Sequence, residues 1–390
     1  MRSYKSSFSH ALAAHPERLH LAAHSHHPWP DVSRNAQIAA WDDAARLLDG
    51  KWDRVLGEVL PEVRSRIAAL LHLPDPSSVV VAPNTHEFLV RLASSFPHDR
   101  PVRLLSSGSE FHSFTRQAER WVEAGRATRD VVPVEPFDTF ADRFAAVLAE
   151  DRHDLVWVSQ VMFDSGWHFE EVFDVLTSAK TDAVLVVDGY HGFMALETSV
   201  GAASNRVFYV AGGYKYAMSG EGVCFLHCPP GVHERPVDTG WFAGFDTLAR
   251  SDGGVAYAPD ATRFFGSTFD PTGLYRFAAV QRWLADEGLT PRAIHDHVVA
   301  IQTAFLDHVR AGRAGSLSPD DVLPGPDSTR RGNFVCFRRD DAGAIARWLG
   351  ERGVVVDARG DRLRVGFGIY HDLADAEHAA TALGTVPARW

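Results

Sequence analysis

Val207-Phe208-Tyr209-Val210-Ala211-Gly212-Gly213-Tyr214-Lys215-Tyr216-Ala217-Met218-Ser219-Gly220-Glu221-Gly222 is the stretch that decides the fold. A β-branched and aromatic block runs into Gly-Gly, then Tyr-Lys-Tyr, then a turn bounded by glycines. The block reads as a buried strand, and the glycines allow turns that other residues resist. Lys215 is therefore offered at a strand end, among tyrosines and with few charges nearby. Burial lowers a lysine pKa because the ammonium loses its water, and a lysine near neutrality can attack a carbonyl to form a Schiff base. An isolated lysine at such a place ordinarily reaches into solvent. What selects the chemical reading lies upstream. Ala183-Val184-Leu185-Val186-Val187-Asp188-Gly189-Tyr190-His191-Gly192 is a hydrophobic strand that ends in an aspartate, with a histidine three residues later.

A strand-terminal Asp, then His, then a second strand carrying Lys is the layout that a pyridoxal phosphate site needs. The carboxylate keeps the pyridine nitrogen protonated so that the ring draws electrons, and the lysine holds the aldehyde. The two stretches resemble the fold-type I pyridoxal-phosphate enzymes of the class V aminotransferase superfamily. Within it they are most similar to kynureninase, whose lysine also lies in Tyr-Lys-Tyr followed by Ser-Gly-x-Gly. The resemblance runs from about residue 20 to 372. It implies an α/β fold of the aspartate aminotransferase type. In that fold a large domain carries a mostly parallel seven-stranded sheet between helices, and a smaller α+β domain follows at the C-terminus. The expected division is an N-terminal segment over the active site (1–50), the large domain (51–285) and the small one (286–390). The resemblance further implies pyridoxal 5'-phosphate as cofactor, Lys215 as catalytic residue, Asp188, His191 and Tyr214 around the cofactor, and a homodimer with shared active sites.

Composition agrees with a large globular enzyme. The chain has 390 residues, 45% of them hydrophobic and 23% charged, ample for one large domain and a smaller one. A net charge of −11 argues against a nucleic-acid partner, which favours a basic face. No apolar run approaches a membrane span, and Met1-Arg2-Ser3-Tyr4-Lys5 leads into no apolar core of a signal peptide. Three cysteines, Cys224, Cys228 and Cys336, suit a reducing cytoplasm. The first two fall in a strand-like block and read as buried thiols. His24-Ser25-His26-His27 invites a metal, but it ends in Pro28-Trp29-Pro30 and has no carboxylate at ligand spacing, so no metal is expected.

The remaining motifs follow the same resemblance. Residues 36–72 read as helix. Val79–Ala82 reads as a strand, and Pro83-Asn84-Thr85-His86-Glu87 starts a helix whose free N–H groups make an anion site. It resembles the superfamily's Gly-Thr-Thr-Glu turn, which places Thr85 and His86 on the cofactor phosphate. After the strand at 103–107, Glu110-Phe111-His112 stands where relatives stack a flat side chain on the ring, with His112 first and Phe111 second. Asp164 or Ser165, after the strand at 155–160, falls where relatives approach the phenolic oxygen. Ser25 is kept from the segment that lies over the substrate in kynureninases, and His24 stands where they have Asn. Trp241 lies in a Gly-Trp segment like theirs. Thr268, in Gly266-Ser267-Thr268, matches a segment that completes the partner subunit's phosphate site. Leu363-Arg364-Val365 resembles the terminal motif whose arginine grips the substrate α-carboxylate, a task suited to a planar guanidinium. Arg362 and Arg359 are its fallbacks.

The reaction is read from two further features. Cysteine desulfurases carry a mobile cysteine late in the chain, whereas Cys336 lies in a strand-like Asn-Phe-Val-Cys-Phe run. Val354-Val355-Val356-Asp357-Ala358-Arg359 matches the kynureninase pattern Val-x-x-Asp-x-Arg. The expectation is cleavage of an α-amino acid at Cβ, by a hydrolase or lyase. An aminotransferase that releases a keto acid is the alternative, and a catalytically idle fold used for binding is a third.

Overall fold

The computed structural model describes residues 2–231, 234–248 and 254–387. Thirteen strands order it: β1 (Leu19–His20), β2 (Val79–Ala82), β3 (Val102–Ser107), β4 (Ala127–Val132), β5 (Leu155–Ser159), β6 (Val184–Asp188), β7 (Val207–Gly212), β8 (Cys224–His227), β9 (Val322–Leu323), β10 (Phe334–Arg338), β11 (Val354–Val355), β12 (Asp357–Arg359) and β13 (Arg362–Gly366). Seven of them form one sheet in the order β2-β8-β7-β6-β5-β3-β4. Only β8 runs antiparallel to its neighbours. Strands β5 and β7 are buried at every residue, which is why they read as unbroken apolar runs. A parallel strand covered by helices on both faces has no wet side to alternate with. β4 escaped the sequence reading because it is an edge strand, with Thr128, Arg129, Asp130 and Val131 facing out in part.

Register sets the site. Ser159 pairs with Asp188, and Asp188 pairs with Val210. The carboxyl ends of β5, β6 and β7 thus lie side by side, where open α/β sheets bind ligands. Gly212 and Gly213 serve close approach rather than an unusual turn. A Cβ on Gly212 would lie 2.6 Å from the Tyr190 hydroxyl and one on Gly213 2.5 Å from Val223. The positive φ angles come later, at Met218, Gly220 and Gly222.

The helix expected over 36–72 is broken. It runs Asp31–Leu47, turns at Leu48 with φ +50°, and resumes to Leu71 through a wide turn at Val55–Val59. A leucine in the left-handed region is costly enough to end a helix. Beyond the helix Thr272–Asp286 a second core forms around Val298, Ile301, Phe305, Val335, Phe337 and Val365. Here β12-β13-β10-β9 make a four-stranded antiparallel sheet. The N-terminal segment spans the two cores. Phe8 and Ala23 pack in the first, Leu21 packs in the second, and β1 pairs in parallel with β11. No described helix is long and apolar enough to cross a membrane.

Arg276 fastens the turn after Lys215 to the rest of the fold. Its buried guanidinium donates to the carbonyl oxygens of Ser219 (2.8 Å) and Glu221 and to the Gln37 side chain, and lies 5.0 Å from the Trp29 ring. Replacing it with methionine strands those acceptors. The expected loss is about 2–3 kcal/mol of stability, read as a lower midpoint of urea unfolding; an unchanged midpoint would show that the turn stands without it.

Candidate active site

A cavity of about 330 Å³ opens at the ends of β5, β6 and β7, within the range of small-ligand sites. Lys215 enters it from the loop after β7. Its Nζ contacts His191 Nε2 and lies 5.6 Å from the Phe111 ring centroid and 5.7 Å from that of Tyr190. Burial, and next the charge of Arg364, push its pKa down to about 7. Burial likewise drives His191 well below the ordinary histidine value, with Lys215 adding to the effect, so the ring is neutral. Asp188, the last residue of β6, accepts from the Tyr190 N–H at 2.9 Å, and burial raises its carboxyl to about 6.

The helix Thr85–Ser94 points its N-terminus at the same cavity. Asn84 caps it, accepting from Glu87 N–H at 3.1 Å, and Asn84, Thr85 and His86 all line the cavity. Opposite lies the small domain. Asp357 and Arg364 are register partners on β12 and β13, which brings the carboxylate onto the guanidinium. Arg364 Nε donates to Asp357 Oδ2 at 2.8 Å, Nη2 donates to the same oxygen, and Nη1 donates to the Phe163 carbonyl. The guanidinium lies 4.6 Å from the Phe163 ring and 5.6 Å from that of Phe334. Burial pushes the Asp357 carboxyl up, but His24 and Arg364 outweigh it and hold it well below the usual range.

Ten expected residues meet here: Lys215, Asp188, His191, Tyr214, Thr85, His86, Phe111, Arg364, His24 and Ser25. Four do not. His112 begins the helix His112–Glu123, while Phe111, the extended residue before it, lines the cavity. Of the two candidates for a flat side chain at this wall, Phe111 is the one that lines the cavity. Ser165 is buried in the turn after β5, where its hydroxyl accepts from Trp167 N–H at 3.3 Å, and its alternative Asp164 accepts from Ser109 Oγ at 2.9 Å. Both are held by the protein rather than by the cavity. Trp241 donates to Thr268 Oγ1 at 3.3 Å, and Thr268 lines a neighbouring groove with His86, Glu87 and Arg91. The three histidines of the N-terminal segment diverge. His24 stacks on Phe334, His26 Nδ1 lies 3.0 Å from the Tyr214 hydroxyl, and His27 Nδ1 lies 2.7 Å from the Pro28 carbonyl. Among the described residues no group of three potential ligands stands close enough to hold a metal.

Sequence reasoning passed over Ser159, Tyr190 and Asp357. Ser159 is visible only through its register with Asp188. Tyr190 stands in the quoted Asp-Gly-Tyr-His run. Asp357 was part of a recognised pattern, but its task appears only once β12 lies beside β13.

The donors fit pyridoxal phosphate. An amine near neutrality, a carboxylate at the cavity wall and a capped helix start match the aldehyde, the ring nitrogen and the phosphate. Both nitrogens of His24 and Nδ1 of His191 are buried without a partner among the described residues, as expected of groups meant to meet a bound molecule.

Comparison with known proteins agrees. A family described as the kynureninase C-terminal domain matches residues 297–383. Isopenicillin N epimerase of Streptomyces clavuligerus is 28% identical over 376 residues, covering 87% of this chain and 88% of that protein. A solved variant of C-DES with glycine covalently linked to its PLP cofactor has a TM-score of 0.78 at 16% identity, covering 97% of this chain and 99% of that one. The apo cysteine desulfurase of Thermococcus onnurineus NA1 reaches 0.77 at 17%, covering 98% of each. These likenesses all point to a pyridoxal-phosphate enzyme of fold type I, of the class V aminotransferase kind. The mostly parallel sheet delivers Asp188 at a strand end and Lys215 in the loop after β7, and Arg359 and Arg364 line the cavity from the other side.

The depressed pKa of Lys215 makes its amine testable by pH. Only the neutral amine adds to an aldehyde, and its fraction rises as pH climbs through about 7. An ordinary lysine reaches the same point near pH ~10. Pyridoxal phosphate added to cofactor-free protein is expected to develop its imine absorbance at a rate that levels off above pH ~8, about one unit past that value. A rate still climbing toward pH 10 would contradict the burial argument.

Proposed function

We propose that the enzyme cleaves the side chain of an α-amino acid at Cβ, in the manner of a kynureninase-like hydrolase or lyase. The observation that carries this reading is the kynureninase C-terminal match over 297–383, which contains the Asp357–Arg364 pair. Asp357 occupies the guanidinium edge formed by Nε and Nη2. With one Nη1 hydrogen given to the Phe163 carbonyl, one hydrogen on Nη1 and one on Nη2 are left for the substrate α-carboxylate. The cofactor, when bound, supplies the electron sink. Lys215 would hold it, and the freed amine would accept the Cα proton at Nζ. His191, neutral, contacts the lysine at Nε2 and adds no cation there. Asp188, largely ionised at neutral pH, would hold a proton on the ring nitrogen. Phe111 would offer a flat apolar face to the ring without adding charge.

Cys336 supports cleavage over desulfuration. Its thiol lies in β10, buried, with Sγ 3.1 Å from the Asp164 carbonyl, and burial pushes its pKa up to about 12. A sulfur-accepting cysteine needs thiolate character and reach. A second reading, inversion at Cα without cleavage, is favoured by the epimerase that matches along 376 residues; it shares the first proton transfer.

The active site is inferred to be shared between two copies of the chain. Thr268 lies beside the helix start at His86 but outside its own chain's cavity, and Trp241 and Phe245 stand 43% and 48% exposed, an aromatic surface suited to an interface.

Turnover of a panel of amino acids in deuterated water separates the readings. Hydrolytic cleavage leaves a shortened amino acid labelled at Cβ, and cleavage by elimination leaves a shortened keto acid with free ammonia. Inversion leaves the intact substrate labelled at Cα, and transamination leaves a keto acid with the full carbon skeleton. A shortened product is expected, and Cys336→Ala is expected to form it at the rate of the unmodified enzyme. Full-length keto acid alone, or loss of product in Cys336→Ala, would refute the cleavage reading.

A further inference from the structure

His24 is the least explained side chain of the cavity. It is fully buried, stacked on Phe334 with centroids 4.5 Å apart, and wedged against β13. A Cβ on Gly366 would lie 2.1 Å from its Nδ1. Its Nε2 stands 3.8 Å from Asp357 Oδ2, too long for a hydrogen bond. Neither ring nitrogen has a partner among the described residues. Leaving two polar atoms buried and unpaired is costly, and apolar Phe would pack on Phe334 as well. Apart from Asp357 at that longer distance, no group of the described residues stands ready to meet the imidazole nitrogens, and a bound molecule can.

Charge narrows what that molecule offers. Burial pushes His24 down to about 3, so it brings one N–H donor and one acceptor and no charge. Around it stand two guanidiniums, Arg364 and Arg359, sharing one carboxylate. Arg359 Nη2 lies 3.2 Å from Asp357 Oδ1, the oxygen opposite that taken by Arg364. Once a substrate α-carboxylate reaches Arg364, two positive and two negative charges face each other. No cation is left over for a second acid. Asp188, the other carboxylate at the cavity, belongs to the opposite wall at the end of β6.

We propose that His24 determines substrate specificity by hydrogen-bonding an uncharged polar group on the substrate side chain. The position supports this. His24 stands beside Arg364 rather than beside Lys215's strand, so it faces the substrate's own arms near Cα and not the cofactor ring. An amide, ketone or hydroxyl group meets one nitrogen of the neutral ring. A carboxylate in its place adds uncompensated charge, and an alkyl group leaves both nitrogens unpaired.

This inference rests on the cofactor reading above, and the test keeps the two apart. The probes are phosphopyridoxyl adducts of L-asparagine, L-aspartate and L-leucine, three amino acids of nearly the same shape. Each is titrated into cofactor-free protein and its dissociation constant read from tryptophan fluorescence, with no turnover involved. The asparagine adduct is expected to bind at least about tenfold more tightly than the other two, the worth of one buried polar partner. His24→Phe is expected to bring asparagine and leucine to within about twofold. Gly366→Ala, which pushes the ring from its place, is expected to shrink the same ratio from a different strand. Equal binding of the three adducts by a protein that still binds pyridoxal phosphate, tighter binding of aspartate, or a preference that survives both substitutions overturns the role of His24 alone. Failure to bind pyridoxal phosphate and every adduct overturns the cofactor reading, and this inference with it.

Discussion

A lysine whose ammonium is stripped of water is the constraint on which the rest of this structure depends. Lys215 follows β7, a strand buried along its whole length, so its side chain emerges at the strands' carboxyl ends into a cavity rather than into solvent. The ammonium pays in hydration there, and Arg364 across the cavity adds repulsion. The result is an amine that is nucleophilic at neutral pH. The same burial acts with opposite sign on Asp188, raising it toward 6, and leaves a carboxylate that favours a cationic partner such as a protonated ring nitrogen.

The elements around the two cores supply complementary halves of the cavity wall. The large sheet brings lysine, aspartate and helix start together because parallel strands all end on one side. The small sheet brings Arg364, an arginine that is already oriented. Asp357 fixes Arg364 through strand register, and the rings of Phe163 and Phe334 flank the guanidinium. The N-terminal segment joins these halves. It pairs with β11 at Leu19 and His20, contacts Tyr214 through His26, and places His24 between the two. One short strand thus couples the domain arrangement to the composition of the cavity wall.

Much of this was legible in the sequence because the central strands are buried on both faces and carry their functional residue at the end. Asp188 and Lys215 each follow a run that cannot be anything but interior. What was not legible depended on neighbours rather than on the local pattern. β4 is an edge strand with Arg129 and Asp130 partly exposed, so it lacks an apolar signature. The choice between Phe111 and His112 turns on where the helix starts, at His112, a boundary that local propensity does not resolve. Asp357 acquires its role from a cross-strand partner seven positions on. Ser165 stood in a plausible motif, yet its turn closes on Trp167 instead of opening to the cavity.

The central claim is a covalent bond between Lys215 and a pyridoxal aldehyde, and reduction makes that bond permanent. Protein saturated with pyridoxal phosphate, treated with borohydride and digested, is expected to give one phosphopyridoxyl-bearing peptide, with fragmentation placing the group on Lys215. A modification spread over surface lysines, or located on another lysine while the Lys215 peptide stays unmodified, would contradict the account.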